Sequence, residues 1–529
     1  MHRRRFIATS AGLVAVGSAP ARAQRRDRRV LRFVPQANLT ALDPVWTTAA
    51  VTSVHGYTVF DTLYGTDDAG RIRPQMAEGH TVSNDGLTWT IRLRDGLLWH
   101  DGEKVLARDC VASLERWSKR DVFGQSLAAA AAEWGVADDR TLRIRLRSPF
   151  PLLLSAIGKT ASNMPLMMPE RLARTDPFRQ VPEMVGSGPY RFLPEEFVAG
   201  SRVGYAKFDG YVPRQEPAEN TAGGKVAHFE RIEWHVMPDS ATAAAALQAG
   251  EVDWWDQVNP DLTPLLRRNR NLRVGVNDPT GYIGTLRFNH LHPPFDKAGV
   301  RRAILYAANQ DDYMRAITGN DPEIFTECHS MWPCGTAYGR ETKPDALRGS
   351  PPDLARAKQM LHEGGYRGEK VVIINASDLP SMAPFGLVTA DLLRRLDMNI
   401  ELVETDWGSV VQRRTSKEPV ERGGWSIFHT WWPSPSILNP ATSPIVRGQG
   451  DRGWFGWYSN PRVEELASQW LLAPDEAEQA RLAEEIQQES FREVPVVPLG
   501  RYFIRTAYRA GLTGFLKTAA SYPWNVRWA

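Results

Sequence analysis

Three cysteines in 529 residues are too few to staple a scaffold of this size, so packed cores must hold the chain. Past the first 29 residues no apolar run approaches the ~18 residues that a membrane-spanning helix needs. Low-complexity tracts are missing too. Net charge is also low: the formal +3 includes four arginines within residues 1–23 (Arg3, Arg4, Arg5, Arg22), and without them it falls to about −1, which gives no reason to expect a nucleic-acid partner. Catalytic signatures are absent as well. There is no His-Glu-x-x-His, no phosphate-binding Gly-rich Lys loop and no Gly-x-Ser-x-Gly. Dispersed triads stay open, but the main reason for proposing an enzyme is gone.

What is present begins with a leader. "MHRRRFIATSAGLVAVGSAPARAQ" has a basic start, a weakly apolar stretch from Phe6 to Val16 and a small-x-small end at Ala21-Arg22-Ala23. That layout predicts an export signal over 1–23, cut after Ala23, and Arg3-Arg4 resembles the twin-arginine type. No cysteine follows the apolar stretch, so a soluble mature protein outside the cytoplasm is expected. The remaining length predicts two or three globular units.

Strand and helix signals alternate along the chain. Trp89, Ile91 and Leu93 alternate with polar residues, as do Leu142, Ile144 and Leu146, which predicts half-buried strands in a small mixed sheet within 55–180. A helix is expected from about Ala107, with Cys110, Leu114 and Trp117 on its buried side. Asp239 should cap a helix that Gly250 stops, Asp296 should open one through "VRRAILYAA", and Asp353 should cap one that ends at Gly364-Gly365. "KVVIINA" reads as a buried strand. This alternation predicts α/β layers with substantially parallel sheets.

Several stretches offer chemistry. Cys328 and Cys334 in "ECHSMWPCG" are close enough to pair in an oxidising compartment; with His329 they could begin a metal site, but fall short of four ligands. His290 and His292 lack a third ligand nearby. Ser187 in "VGSGPY" reads as a turn beside a strand, and the Asp-Gly pair explains "HDGE" (His100–Glu103). The positive signal is aromatic. Trp425, Trp431, Trp432, Trp454 and Trp457 fall close together, with Phe428, Phe455 and Tyr458 among them and loop-forming "PSPS" and "GQGDRGWFGWYSN" alongside. "HTWWPSPSILNP" (His429–Pro440) carries no charged side chain except whatever proton His429 holds. Indoles in such a setting form a core or a ligand wall.

Six segments, in order, then resemble one family: "IRPQMAEGHTVSNDGLTWTIRLRDGLLWHDGEKVLARDCVASLERW", "GSGPYRF", "LQAGEVDWW", "RFNHLHPPFDKAGVRRAILYAANQDDYM", "DLARAKQMLHEGGYRG" and "WYSNPRVEELA". The chain from about residue 30 resembles the family 5 extracellular solute-binding proteins, the peptide-, nickel- and opine-type receptors of ABC importers. The resemblance implies an α/β, two-lobed periplasmic-binding-protein fold with hinge strands. Lobe I would comprise 28–54, 181–280 and 495–529, with 55–180 as an inserted subdomain, and lobe II 281–494. The hinge crossings would lie near "DPTGYIG" and "REVPVVPLG". In peptide-binding members the 429–440 segment resembles Asp-Tyr/Asn-x-Asp-Pro, whose first Asp meets the ligand's α-amino group. Here Trp431 stands in its place, Trp432 follows, and Ser434 replaces the second acid.

The resemblance implies ligand contacts from Trp407, Trp431, Trp432, Asn163 and Trp46. A buried ammonium needs a partner, so the missing acid predicts a ligand with an apolar or flat part, or a blocked or quaternary amine. The expected protein is a soluble, monomeric periplasmic receptor that passes a small solute, a peptide or modified peptide first among them, to an inner-membrane ABC permease. It implies no cofactor, no metal and no turnover. The rivals are a secreted hydrolase acting on peptides or esters and a periplasmic holding chaperone.

Overall fold

The computed structural model describes residues 27–529 apart from 161, 320, 341–351 and 474. The leader over 1–23, with its twin-arginine pattern and cleavage site, lies outside the described residues. Two sheets organise the rest. The first runs in the order Tyr190–Val198, Arg202–Lys207, Arg231–His235, Val30–Val34, Trp254–Trp255, Arg505–Arg509, Leu272–Val276. Val30–Val34 is apolar at every position but Arg32 and becomes an inner strand, parallel to both of its neighbours. The alanine-rich helix Ser240–Ala249 packs against this sheet through Trp255. It starts and stops as its sequence predicts: the Asp239 carboxylate accepts from the Thr242 N–H at 2.7 Å, and Gly250 takes the left-handed angle that ends the helix.

The second sheet runs Phe325–Thr326, Val496–Tyr502, Tyr282–Phe288, Ile427–Pro433, Val371–Ala376, Ile400–Thr405. Val371–Ala376 is buried along its whole length and parallel to both neighbours, following the helix Leu354–Glu363 capped by Asp353. Elsewhere the expectation of substantially parallel sheets fails, because both sheets are mixed. The βα alternation that demands parallel pairing holds over 354–433. Val496–Tyr502 arrives from far along the chain and enters beside Tyr282–Phe288 from the opposite direction.

The same strand corrects the domain boundary. Val496–Tyr502 belongs to the second sheet, so the chain returns to the first at 503–504 rather than near 495. The other passage from the first sheet to the second runs through 277–281. The reason is burial: "VVPLG" is inaccessible throughout and pairs along its length with Tyr282–Phe288, while Phe325–Thr326 takes the other edge of the strand at Arg501 and Tyr502.

Within 55–180, Thr88–Leu93 buries Trp89, Ile91 and Leu93 and exposes Arg92. Its sheet is wholly antiparallel rather than mixed, since short turns at 83–87 and 139–140 return the chain beside itself. Helix Ala107–Trp117 covers it with Cys110, Leu114 and Trp117 inward. The helix that Asp296 was expected to open begins at Ala298 instead; the Asp296 N–H is committed to His292 O in the preceding turn. Gly186 and Gly188 lie against the backbone of Val59, where an added Cβ at Gly186 would sit 2.1 Å from a carbonyl oxygen. Close packing therefore accounts for "VGSGPY", and the buried Ser187 faces only the Met76 sulfur.

Cys328 and Cys334 are bonded to each other, Cα to Cα 5.8 Å, and Cys110 is free and buried. Alkylation of the denatured protein should therefore add one label before reduction and three after it, read by intact mass. The Cys328→Ala/Cys334→Ala double variant should lose about 2 kcal/mol in urea unfolding, the loop-closure entropy of so short a loop. An unchanged midpoint would remove the disulfide from the stability of this fold.

Candidate functional site

A cavity of about 150 Å³ lies between the lobes. Its second-lobe wall is the end of Ile427–Pro433. Phe428, Thr430 and Trp432 share one face of that strand, and His429 and Trp431 the other. Both faces are packed, so both indoles are buried: Trp431 meets the ring of Tyr282 edge-on at 4.8 Å and Trp432 that of Trp454 at 5.0 Å. The strand stops at Pro433, and there both residues border the same cavity. Ser434 fixes this end, donating from Oγ to the carbonyls of Thr280 (2.8 Å) and Gly281 (2.9 Å) in the passage between the sheets. The indole N–H groups of Trp431 and Trp432 have no acceptor among the described residues.

Trp407 opens the helix Trp407–Arg413, capped by Asp406 through the Ser409 N–H. Seven residues on, two helical turns along the same face, stands Arg414. Its side chain is 1% exposed. The guanidinium lies over Trp407 (5.3 Å), Phe428 (5.7 Å) and Phe455 (4.7 Å) and borders the cavity. Its one side-chain contact of hydrogen-bonding type is Thr48 Oγ1 at 3.5 Å, too long to satisfy it, and Nε has no partner among the described residues. Burial alone draws its pKa down to about 9.

Asp278, in the passage at 277–281, also borders the cavity. Oδ1 accepts from Thr280 N (2.8 Å) and Thr280 Oγ1 (2.6 Å); Oδ2 is buried with no partner among the described residues. Burial pushes its carboxyl upward. The sequence reading missed both residues. The seven-residue spacing from Trp407 was the available signal for Arg414; "NDPTG" reads only as a turn.

Trp407, Trp431 and Trp432 thus share one cavity, and Trp46 and Asn163 do not join them. Those two border a second cavity of about 400 Å³ that has Thr48 and Ser162 in common with the first. The Asn163 amide is occupied by the carbonyls of Val45 (2.8 Å) and Thr47 (3.2 Å), and the Trp46 indole by Phe178 O. Trp454 and Trp457 border this second cavity, whereas Trp425 is core. His290 and His292 face the carbonyls of Pro495 and Lys417, and no metal-binding group of three or more His, Cys, Asp or Glu occurs among the described residues.

Two variants follow. Arg414→Met removes a buried charge that has no counter-ion, so the ligand-free protein should be no less stable in urea, while solute affinity falls at least ~30-fold. Lost stability with affinity kept would make Arg414 a structural residue. Behind Tyr282, the buried carboxyl of Asp256 accepts from Ser521 Oγ and is raised from 3.8 to about 6. Between those values the native protein holds more protons than the unfolded chain, so this group makes stability fall as pH rises from about 4 to 6. Asp256→Asn should flatten that slope and raise stability at pH 7 by up to about 3 kcal/mol, compared by urea unfolding at both pH values.

The model of the bacterial extracellular solute-binding proteins, family 5 matches residues 71–451. The chain is 37% identical to the "Probable peptide ABC transporter periplasmic-binding protein y4tO" of Sinorhizobium fredii, over 93% of this chain and 92% of that one. It is 28% identical to the glutathione-binding protein GsiB of Salmonella typhimurium, over 90% of each. Two solved structures share its fold: the binding protein AgaA of A. tumefaciens in complex with agropinic acid (TM-score 0.79, 20% identity, 94% of this chain and 99% of that one) and DppA of Helicobacter pylori in complex with the peptide STSA (TM-score 0.78, 21%, 94% and 98%). Family and fold agree with the cavity between two lobes: this chain belongs to the family 5 extracellular solute-binding proteins and has a substrate-binding role.

Proposed function

We propose that the chain captures a peptide or peptide-like solute between its lobes, outside the cytoplasm, and hands it to an inner-membrane ABC permease. The leader would export it, by the twin-arginine route, and the mature chain would act as a monomer. No bond of the solute is broken; the importer supplies the energy. The observation that carries this reading is Arg414, a buried guanidinium without a carboxylate, on the wall of a cavity lined by Trp407, Trp431 and Trp432. Peptides, glutathione and agropinic acid, the solutes printed in the names of its relatives and structural neighbours, each carry a carboxylate that such a group would pair with. The indoles add faces for an apolar or flat segment, and their free N–H groups suit a backbone carbonyl.

Native mass spectrometry of the mature protein, taken from the periplasm of cells grown on peptide-rich medium, tests this. A stoichiometric adduct is expected, weakened or lost in Trp431→Ala and in Trp432→Ala. In a thermal-shift screen, a true solute at 100 times its Kd should add ~2.7 kcal/mol. Peptides cleaved on incubation, with no adduct and no shift, would end the receptor reading.

A further inference from the structure

We infer that Asp278 receives the cationic group of the solute, so that the solute is a zwitterion held between Asp278 and Arg414. The inference rests on the peptide reading above and adds the second charge to it.

Asp278 is 3% exposed, and its two oxygens have different fates. Oδ1 belongs to its own turn, pinned by both donors of Thr280. Asp278 borders the cavity, and its Oδ2 is buried without a partner among the described residues. The carboxylate cannot swing away to find one. The Thr280 carbonyl is held by Ser434 Oγ and by Arg501 through Nε (3.0 Å) and Nη2 (2.7 Å), so two strand ends of the second sheet clamp the turn. Arg501 is near enough for its charge to favour the Asp278 carboxylate, but it makes no ion pair with it, and its remaining hydrogen bond goes to Cys334 O at 3.0 Å. The other charged groups on this cavity, Asp68 and Lys517, are exposed at its rim. A buried anion fixed in this way is pre-organised for a donor brought in from outside.

The surroundings favour an ammonium. Tyr282 and Tyr522 stand near Asp278, Trp431 packs on Tyr282, and Tyr522 and Trp431 border the same cavity, where aromatic groups attract a cation that a neutral donor would not exploit. Arg414 sits by contrast among Phe428, Phe455 and Trp407, on the side of the strand that carries Trp432. Opposite charges therefore occupy the two sides of one strand end. A neutral solute would leave both of them unpaired, and a simple anion would leave Asp278 so. The blocked amine expected from the sequence is not required, because Asp278 provides the acceptor that Trp431 does not.

The test offers the mature protein three tripeptide libraries, one with free termini, one N-acetylated and one C-amidated, and identifies retained peptides by mass spectrometry after denaturation. Wild type should prefer free amines over acetylated ones by about 30-fold or more, the cost of leaving a buried charge unpaired. Asp278→Asn should lose that preference and keep the preference for a free carboxylate, which also shows that the variant is folded. Asp256→Asn, whose carboxylate does not border the cavity, should behave as wild type. An amine preference that survives in Asp278→Asn overturns the inference and leaves the peptide reading standing. If wild type retains no peptide, the peptide reading fails by itself, and alkylamines and betaines decide Asp278: binding lost in Asp278→Asn supports its role, and no binding by wild type overturns it.

Discussion

Burying a guanidinium without a counter-ion is the constraint around which this site is built. Removing such a charge from water costs several kcal/mol. The fold offsets part of that cost without a carboxylate. Three aromatic faces approach Arg414, each contributing roughly 0.5–2 kcal/mol, and the residue closes a helix whose carbonyl end favours a cation. The concentration of aromatics between Trp407 and Tyr458 becomes intelligible on this basis. Phe428 and Phe455 bear on the guanidinium, and Trp454 packs edge-on against Phe428 and Trp432 to hold that shell in place. A carboxylate there would satisfy Arg414 permanently and leave it nothing to offer a solute.

The geometry of a strand end does the rest. Adjacent indoles on a strand diverge, and in mid-sheet they could not serve one cavity. Here Pro433 ends the strand, Ser434 ties its end to the passage at 277–281, and both rings border the space where the sheet stops. The same tie sets Asp278 beside the ring pair of Tyr282 and Trp431. Fold and site are therefore joined at one point: the segment that carries the chain from the first sheet to the second also carries a buried acid.

Much of this was legible in the sequence, for reasons that can be named. Caps at Asp239 and Asp353, the alternation over Thr88–Leu93 and the buried run of Val371–Ala376 are local signals, and local signals fix local structure. The tryptophans at 407, 431 and 432 stood out because a charge-free aromatic stretch has few uses. Arg414 did not stand out. Arg413 and Arg414 are adjacent, and a helical arginine reads as solvated surface; only packing sends Arg413 to the carbonyls of Gly423 and Gly424 and Arg414 inward. Asp278 was hidden by a true but incomplete explanation, since one of its oxygens does make the turn that "NDPTG" suggests. Trp46 and Asn163 border the second cavity instead: their polar groups are hydrogen-bonded to nearby backbone, which spacing in the sequence does not disclose.

These unpaired groups bear on how the lobes are balanced. With the lobes together, Arg414 Nε, Asp278 Oδ2 and the indole N–H groups of Trp431 and Trp432 are buried without partners among the described residues. Each such group costs about 1–3 kcal/mol, more where it is charged. A separation of the lobes would return water to the cavity and remove most of that cost, so the closed arrangement is unfavourable unless a solute supplies the missing partners. Moving a two-state equilibrium from 1:99 to 99:1 takes about 5.5 kcal/mol of differential affinity. Four groups at about 2 kcal/mol each, the middle of that range, are enough to provide it. Selectivity and closure then have one origin, because a solute that leaves either charge unpaired forfeits the free energy that would bring the lobes together.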